Sequence, residues 1–520
     1  MNLSTAPTVQ PPIENSIFLQ PVTSDEVGKT IMNLKNKNSA GTDEITTKAL
    51  KKICEEIKQP LQILINRSMI TGKFPSALKV AMVVPIHKKG NTQDLSNYRP
   101  ISILSIFSKV FERVLYDRLV GFLNRFGLIS DDQHGFRANR STETAAFQLA
   151  EFIHKELEKR KTVVGLFFDL SLAFDTLNFD FIQEKLYSLG IRGNALAIIM
   201  SFLSERKLLV KISNYNSKEY DINMGTPQGS VLAPLLFILF INDLILPGLT
   251  IKFADDTTVA ISTDNSDEML SAIKSACDKM NRWCFLNQLI LNEEKTMKVH
   301  FYKTDPKIDI QGGTQTVKFL GTYMDSKFTW EPQIDYICSK LSRSYFAILK
   351  MKHTVPYSTL LTLYYALVHC HLNYNIILWG QAVTISRVFV LQKRIIRLIY
   401  GLKPLESCRP IFKGNRILTL TSIYILKCSM HAYRNKDSFQ RNCDTHAYPT
   451  RNKNDFVIPK HTTARYEKSP YYVCVKIFNK LPNTLKEAKS LMIFRNKLKS
   501  LLYDHAFYTI NEFMGADLKD

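Results

Sequence analysis

Two short apolar runs, Leu249-Thr250-Ile251-Lys252-Phe253 and Thr258-Val259-Ala260-Ile261-Ser262, flank Ala254-Asp255-Asp256-Thr257. The pattern predicts a β-hairpin with two adjacent acids at its tip. A third acid, Asp169, ends another strand-type run, Val163-Val164-Gly165-Leu166-Phe167-Phe168. Three carboxylates at the edge of one sheet repel each other unless cations sit among them. Mg²⁺ suits such a place, because it takes oxygen ligands, usually one or two carboxylates plus substrate phosphates. A pair of such ions roughly 3.5–4 Å apart serves phosphoryl transfer. A lone Asp-Asp pair is more often only a turn, so the surrounding residues must decide.

Those surroundings are mixed α/β. Residues 1–20, with Pro7, Pro11 and Pro12, suit a linker. Apolar positions recur at helical spacing from Thr23 to Ile57, broken by a turn-rich stretch at residues 38–43. Residues 78–86 read as a buried strand followed by Lys88-Lys89-Gly90. Helices are expected over Ile101 to Leu123 and Glu143 to Lys161. Asn265 with Glu268 resembles an N-cap pair, after which Leu270, Ile273, Cys277, Met280 and Cys284 form one apolar helix face.

Composition narrows the classes. Lys and Arg number 68 against 47 Asp and Glu, a net charge of +21, while apolar residues hold at 45%, so the chain is basic and globular. The excess is uneven. Residues 331–520 hold 29 basic and 12 acidic side chains, which points to a polyanion-binding surface. Nine cysteines without a C-x-x-C pair suit a reducing compartment. The most apolar stretch, Val231 to Leu249, contains Pro234, Asn242 and Asp243, and the N-terminus is polar. An intracellular protein without a membrane span is expected.

Phe253-Ala254-Asp255-Asp256 resembles the catalytic box of reverse transcriptases, especially those of LINE-type, jockey-like retrotransposons that lack long terminal repeats. Further boxes agree in order. Lys79 to Pro85, Lys88-Lys89-Gly90 and Asn97-Tyr98-Arg99-Pro100-Ile101-Ser102 look like fingers motifs, and Gln133-His134-Gly135-Phe136-Arg137 with Arg140-Ser141-Thr142 is similar to the next box. Phe168-Asp169-Leu170-Ser171-Leu172-Ala173-Phe174-Asp175 resembles the first palm motif, and Gly225-Thr226-Pro227-Gln228-Gly229-Ser230 the one after it. Phe319, Leu320 and Gly321 match the primer-grip box. Two departures stand out. Gly41-Thr42-Asp43-Glu44-Ile45 lacks the Pro and second Gly common there, and Leu172 occupies a position where Lys is frequent.

The resemblance implies an α+β right-hand polymerase: fingers with an N-terminal extension over 21–162, palm over 163–328, helical thumb over 329–400 and a basic, mainly helical segment over 401–520. It implies RNA-directed DNA synthesis onto a primer 3′-hydroxyl with two Mg²⁺ ions, or Mn²⁺. Asp169 and Asp255 become the principal metal ligands, Asp256 a supporting one, and Leu170 stands in both the metal and the nucleotide sets. Phe174 would sit under the sugar and reject a 2′-hydroxyl. Gln228 and Gly229 would hold the incoming deoxynucleoside triphosphate. Arg99 suits its phosphates through a planar two-pronged donor, and between Lys88 and Lys89 the sequence does not choose. Lys295 could protonate the pyrophosphate as a general acid.

The implied partners are an RNA template, a DNA primer or target, and element RNA in a ribonucleoprotein, with nuclear and cytoplasmic residence and no membrane. Only a short stretch precedes the polymerase boxes, so target cleavage is not assigned. Residues 401–510 interleave 20 basic and 7 acidic residues with Tyr424, Tyr433, Tyr448, Tyr466, Tyr471 and Tyr472. They are expected to bind template RNA by phosphate contacts and stacking, and to be dispensable for copying short primed templates. A solvated basic face is the plain alternative. Ile493 to Phe513 also resembles the C-terminal segment of jockey-type elements. Cys428-x-x-His431 and Cys443-x-x-His446 have zinc-ligand spacing, but Cys428 falls on an apolar helical pattern and no metal is assigned there. Two other readings stay open: a catalytically dead nucleic-acid-binding derivative, and a maturase- or telomerase-type relative.

Overall fold

The computed structural model describes residues 11–302, 312–445 and 453–518. Residues 1–10 of the expected linker, His446 and Tyr448 lie outside the described residues. The chain divides into two compact units, which it enters and leaves more than once. One comprises the chain through Asn139, Phe168–Thr258 and Lys274–Thr296; the other comprises Arg140–Phe167, Val259–Ile273 and the chain from Met297 onward.

In the first unit, β1 (Val80–His87) pairs antiparallel with β2 (Tyr98–Ile103), the register setting Ile86 against Arg99. The predicted helix from Ile101 therefore begins later. Residues 101–103 complete β2, and the helix Ile106–Arg125 starts after Ser105, whose Oγ accepts from the Phe107 amide. An apolar run too short to show its period fits strand or helix equally, and here the cap residue sets the boundary. The sheet is completed by β5 (Arg206–Ile212), parallel to β1, and two short strands. Glu112 is fully buried on the Ile106–Arg125 helix, its carboxylate accepting from Ser108 Oγ at 2.8 Å.

The second unit takes up β3 (Thr162–Phe168) as far as Phe167, and every residue of the strand is buried. It pairs antiparallel with β11 (Met297–Phe301), and β9 (Asp256–Thr263) lies on its other side. On the following helix, Ser266–Leu286, the Glu268 amide donates to Asn265 Oδ1 at 2.8 Å as expected. Its buried stripe runs through Met269, Ile273, Ala276, Met280 and Trp283, whereas Leu270 is exposed, one position off the predicted face.

Most of the second unit is helical, including Thr142–Glu158, Glu331–Met351, Ser386–Tyr400, Leu420–Arg434, Pro470–Lys480 and Leu491–His505. The tyrosines expected to stack on RNA are largely interior. Tyr424, Tyr433, Tyr466 and Tyr472 are buried, Tyr433 lying flat on Phe494 with ring centroids 4.3 Å apart; Tyr471 is half-buried and stacks on Phe439. A tyrosine ring removes a large apolar area from water, and four of these rings fill the gaps between helices. Cys428 is likewise buried and His431 stacks on Phe147 at 3.9 Å, its imidazole pushed down to about 4 by burial and then by Arg434. Among the described residues no helix is long and apolar enough to cross a membrane.

Candidate active site

The first unit brings the motif residues to one cavity of about 790 Å³, lined by Lys88, Arg99, Asp169 to Asp175, Gln228, Gly229, Asp255, Asp256 and Lys295. Asp169 arrives at the end of the buried strand β3. The next two residues, β4 (Leu170–Ser171), pair antiparallel with β10 (Ile290–Leu291), and the Asn292 amide donates to the Asp169 carbonyl at 2.8 Å. Asn292 Oδ1 then accepts from the Lys295 amide and closes a tight turn, which delivers Lys295 Nζ to 3.1 Å from Asp169 Oδ2.

Asp255 and Asp256 follow β8 (Leu249–Phe253), with Ala254 taking a left-handed conformation at φ 56°. The chain before the turn is held by the Gln133 box. The His134 amide donates to the Lys252 carbonyl at 2.7 Å, and Gln133 Oε1 accepts from both Gly135 and Ala254 amides. A Cβ on Gly135 would lie 2.6 Å from the Ala254 nitrogen, so only glycine lets the two backbones approach. The box thus buttresses the acidic turn.

Burial and like charge oppose ionisation here. Asp255 is raised above the usual carboxylate range by burial and by Asp169, while Arg99 and Lys88 pull the other way. Asp256 is pushed up to about 6 by burial, then by Asp255 and Asp169. Lys88 is lowered by burial and by the neighbouring Arg99 and Lys295. Carboxylates and cations therefore share one field, the arrangement that favours a polyanion bridged to the acids by metal ions. The donor set fits Mg²⁺ in kind, being all oxygen, with Leu170 able to offer only its backbone carbonyl. Among the described residues no three His, Cys, Asp or Glu side chains are grouped to hold an ion unaided.

The Gln228 loop is fixed from three sides. Its Nε2 donates to both oxygens of Asp175, its carbonyl accepts from the Ser102 amide at 2.8 Å, and the Val231 and Leu232 amides donate to buried Glu112 at 2.6 and 3.2 Å. A Cβ on Gly229, at φ 131°, would meet the Ser102 carbonyl at 2.4 Å. Neither Asp175 nor Glu112 carries a role legible in the sequence, apart from the place of Asp175 at the end of the Phe168–Asp175 motif. Phe174 lines the cavity and stacks on Phe237 at 4.4 Å. Lys88 reaches the cavity wall and Lys89 does not.

Phe319, Leu320 and Gly321 belong to the second unit. They end β12 (Thr316–Phe319) and form a two-residue turn into β13 (Thr322–Asp325), with φ of 44° at Leu320 and 83° at Gly321. Tyr374 Oη donates to the Leu320 carbonyl at 2.5 Å and Phe319 packs on Phe167.

Residues 86–324 match the family model described as reverse transcriptase (RNA-dependent DNA polymerase). The probable RNA-directed DNA polymerase from transposon BS of Drosophila melanogaster is 27% identical, over 84% of this chain and 50% of that protein. The RNA-directed DNA polymerase from mobile element jockey of the same species is 26% identical, over 81% and 49%. The chain spans about half the length of the curated relatives it matches. Telomerase from Candida albicans, solved with a fragment of telomeric RNA, aligns at 12% identity over 67% of this chain and 68% of that one, with a TM-score of 0.41. Residues 86–324 of this α+β chain thus match the reverse transcriptase model, and the chain is similar in sequence to the polymerases of jockey-type mobile elements.

Proposed function

We propose that this chain is an RNA-directed DNA polymerase that copies retrotransposon RNA by joining deoxynucleotides to a primer 3′-hydroxyl. The observation that supports it most is the convergence of Asp169, Asp255 and Asp256 with Lys88, Arg99 and Lys295 around the cavity that Gln228 and Gly229 also line. On this reading residues 21–162 act as fingers, 163–328 as palm and 329–400 as thumb, with Phe319 to Gly321 against the primer.

Asp169, Asp255 and the Leu170 carbonyl would hold Mg²⁺, or Mn²⁺, with Asp256 in support; the bound ions supply activation of the attacking hydroxyl and compensation of charge on the departing pyrophosphate. Lys88 and Arg99 bind the triphosphate, orienting it for attack on the α-phosphorus. Lys295 balances Asp169 in the free enzyme, and its ammonium is the proton source nearest that carboxylate for the leaving pyrophosphate. Phe174 closes the space a 2′-hydroxyl needs.

The test is primer extension on RNA by the purified chain with Mg²⁺. Wild type extends; Asp255→Asn abolishes extension yet retains primer–template binding, because it removes a carboxylate and no phosphate-binding cation. Residual extension near wild type in the variant sinks the site assignment. Binding without extension in the wild-type chain returns the reading to a nucleic-acid-binding derivative.

A further inference from the structure

The second unit carries an aromatic and basic surface built from helices distant in sequence. Its centre is a π-helical segment, Tyr365–His369, in which the Cys370 amide reaches back to the Tyr365 carbonyl. Such five-residue turns cost regular hydrogen bonding and collect at functional places. The Tyr365 and His369 rings meet edge to face at 5.3 Å, and His369 Nδ1 is buried with no hydrogen-bond partner. Tyr365 is 42% exposed and Tyr357 44%, so both leave ring area in water. Tyr357 abuts Tyr400 at 5.2 Å.

Cations surround these rings. Arg416 lies over the Tyr503 ring at 5.8 Å. The Tyr503 hydroxyl is raised by burial while Arg416 and Arg495 pull it down, so both guanidinium groups act on it electrostatically. Tyr503 is in turn an electrostatic neighbour of Tyr365, after burial the largest influence on that hydroxyl. Lys499 adjoins Arg495 and His369. Among the described residues Arg416, Arg495 and Lys499 enter no ion pair, unlike Lys427, which Glu143 neutralises at 2.8 Å. The helix Leu491–His505 bears Arg495, Lys497 and Lys499 against one acid, Asp504.

We propose that this surface binds an unpaired RNA strand, with bases stacking on Tyr365, Tyr357 and Tyr503 and phosphates meeting Arg416, Arg495 and Lys499. Two exposed rings, Tyr357 and Tyr365, with half-buried Tyr503 and unpaired cations match a single strand, which offers base faces and phosphates together; a duplex hides its base faces. The choice of RNA rests on the proposed polymerase reading, in which the template waits single-stranded before it is copied. These residues replace the buried tyrosines as the stacking set.

The test uses the full chain without nucleotide or metal, an unstructured labelled RNA and a fully paired RNA, read by fluorescence anisotropy. Tyr365→Leu is expected to weaken single-strand binding about fivefold or more, as for loss of one stacked base, with less than about a twofold change for the duplex. Arg495→Gln combined with Lys499→Gln should reduce the log–log salt slope by roughly 1.4. Equal losses on duplex, or an unchanged single-strand affinity, overturn the assignment. Tyr357→Leu, at the surface, repeats the test should the first variant lose its fold by circular dichroism. Because binding is read without synthesis, failure here and failure of primer extension are separate results.

Discussion

Gln228 Nε2 donates to both carboxylate oxygens of Asp175, at 2.9 and 2.7 Å, across 53 positions of sequence. A carboxylate accepts only, so this contact fixes which end of the amide faces away: Oε1 is left for a donor in the cavity. Burial raises Asp175, and the Gln228 bond, which favours the ionised carboxylate, opposes that rise in part.

On the proposed reading Asp175 is a positioning residue. Asp175→Ala frees the amide to rotate and should raise KM for the incoming nucleotide about tenfold, the scale of one hydrogen bond to a charged group, with a smaller change in kcat. Asp175→Asn, which offers both a donor and an acceptor, should fall between. Steady-state extension with each variant measures the split; a fall in kcat at constant KM would place Asp175 elsewhere.

Phe174 is held by the Phe237 ring while its edge borders the cavity. Phe174→Val keeps an apolar filler but shortens the reach, so ribonucleotide incorporation relative to deoxynucleotide should rise on the order of tenfold. Competing the two nucleotides on one template reads the ratio directly. A constant ratio with lowered thermal stability would make Phe174 a packing residue only.

The carboxylates were legible because Asp169 follows a continuous apolar run, and because Asp255 and Asp256 sit between two strand-type runs. Their supports were not. Gln133 reaches Ala254 across 121 positions, and Glu112 reaches Val231 across 119, distances at which no local pattern operates. The tyrosines failed for another reason: the same ring serves an interface or a core, and composition does not say which. Tyr433 went inside because Phe494 offers it a flat partner, while Tyr365 stayed out on a turn that no residue pattern announces.

The described residues of 401–518 are a structural part of the second unit, contrary to the expectation that they can be removed. His431 stacks on Phe147, Lys427 pairs with Glu143, and Thr462 Oγ1 donates to Glu158 at 2.7 Å, all on the Thr142–Glu158 helix. Cutting after Tyr400 strips that helix and Ile376–Trp379 of their cover, a loss of several large buried side chains at about 1.5–3 kcal/mol each, comparable to the whole stability of a domain. The truncated chain should be insoluble or melt without cooperativity in calorimetry. Soluble residues 1–400 that copy a short primed template would refute this.

One turn of the same helix carries half-buried Glu151 and buried His154, with opposite responses to pH. Burial pushes Glu151 up to about 7, against Lys155 and the Tyr471 amide, and its Oε2 has no hydrogen-bond partner. The folded chain therefore holds a proton there that the unfolded chain, with an ordinary carboxyl near 4.5, gives up sooner. That contribution is complete below about pH 4.5 and is lost as the pH rises through about 7. Glu151→Gln keeps the neutral shape at every pH, so it should stabilise the chain above pH 7 by up to about 3 kcal/mol and change little at pH 4.5. His154 has the reverse sign: burial, then Arg465, lowers it to about 3, so its contribution is present above pH 6.5 and is lost as the pH falls toward 3. His154→Phe should flatten that acid limb and leave the alkaline one unchanged. Denaturant midpoints from pH 4.5 to 8 separate the two, and a Glu151→Gln gain that is the same at both ends would show that the carboxyl does not titrate in this range.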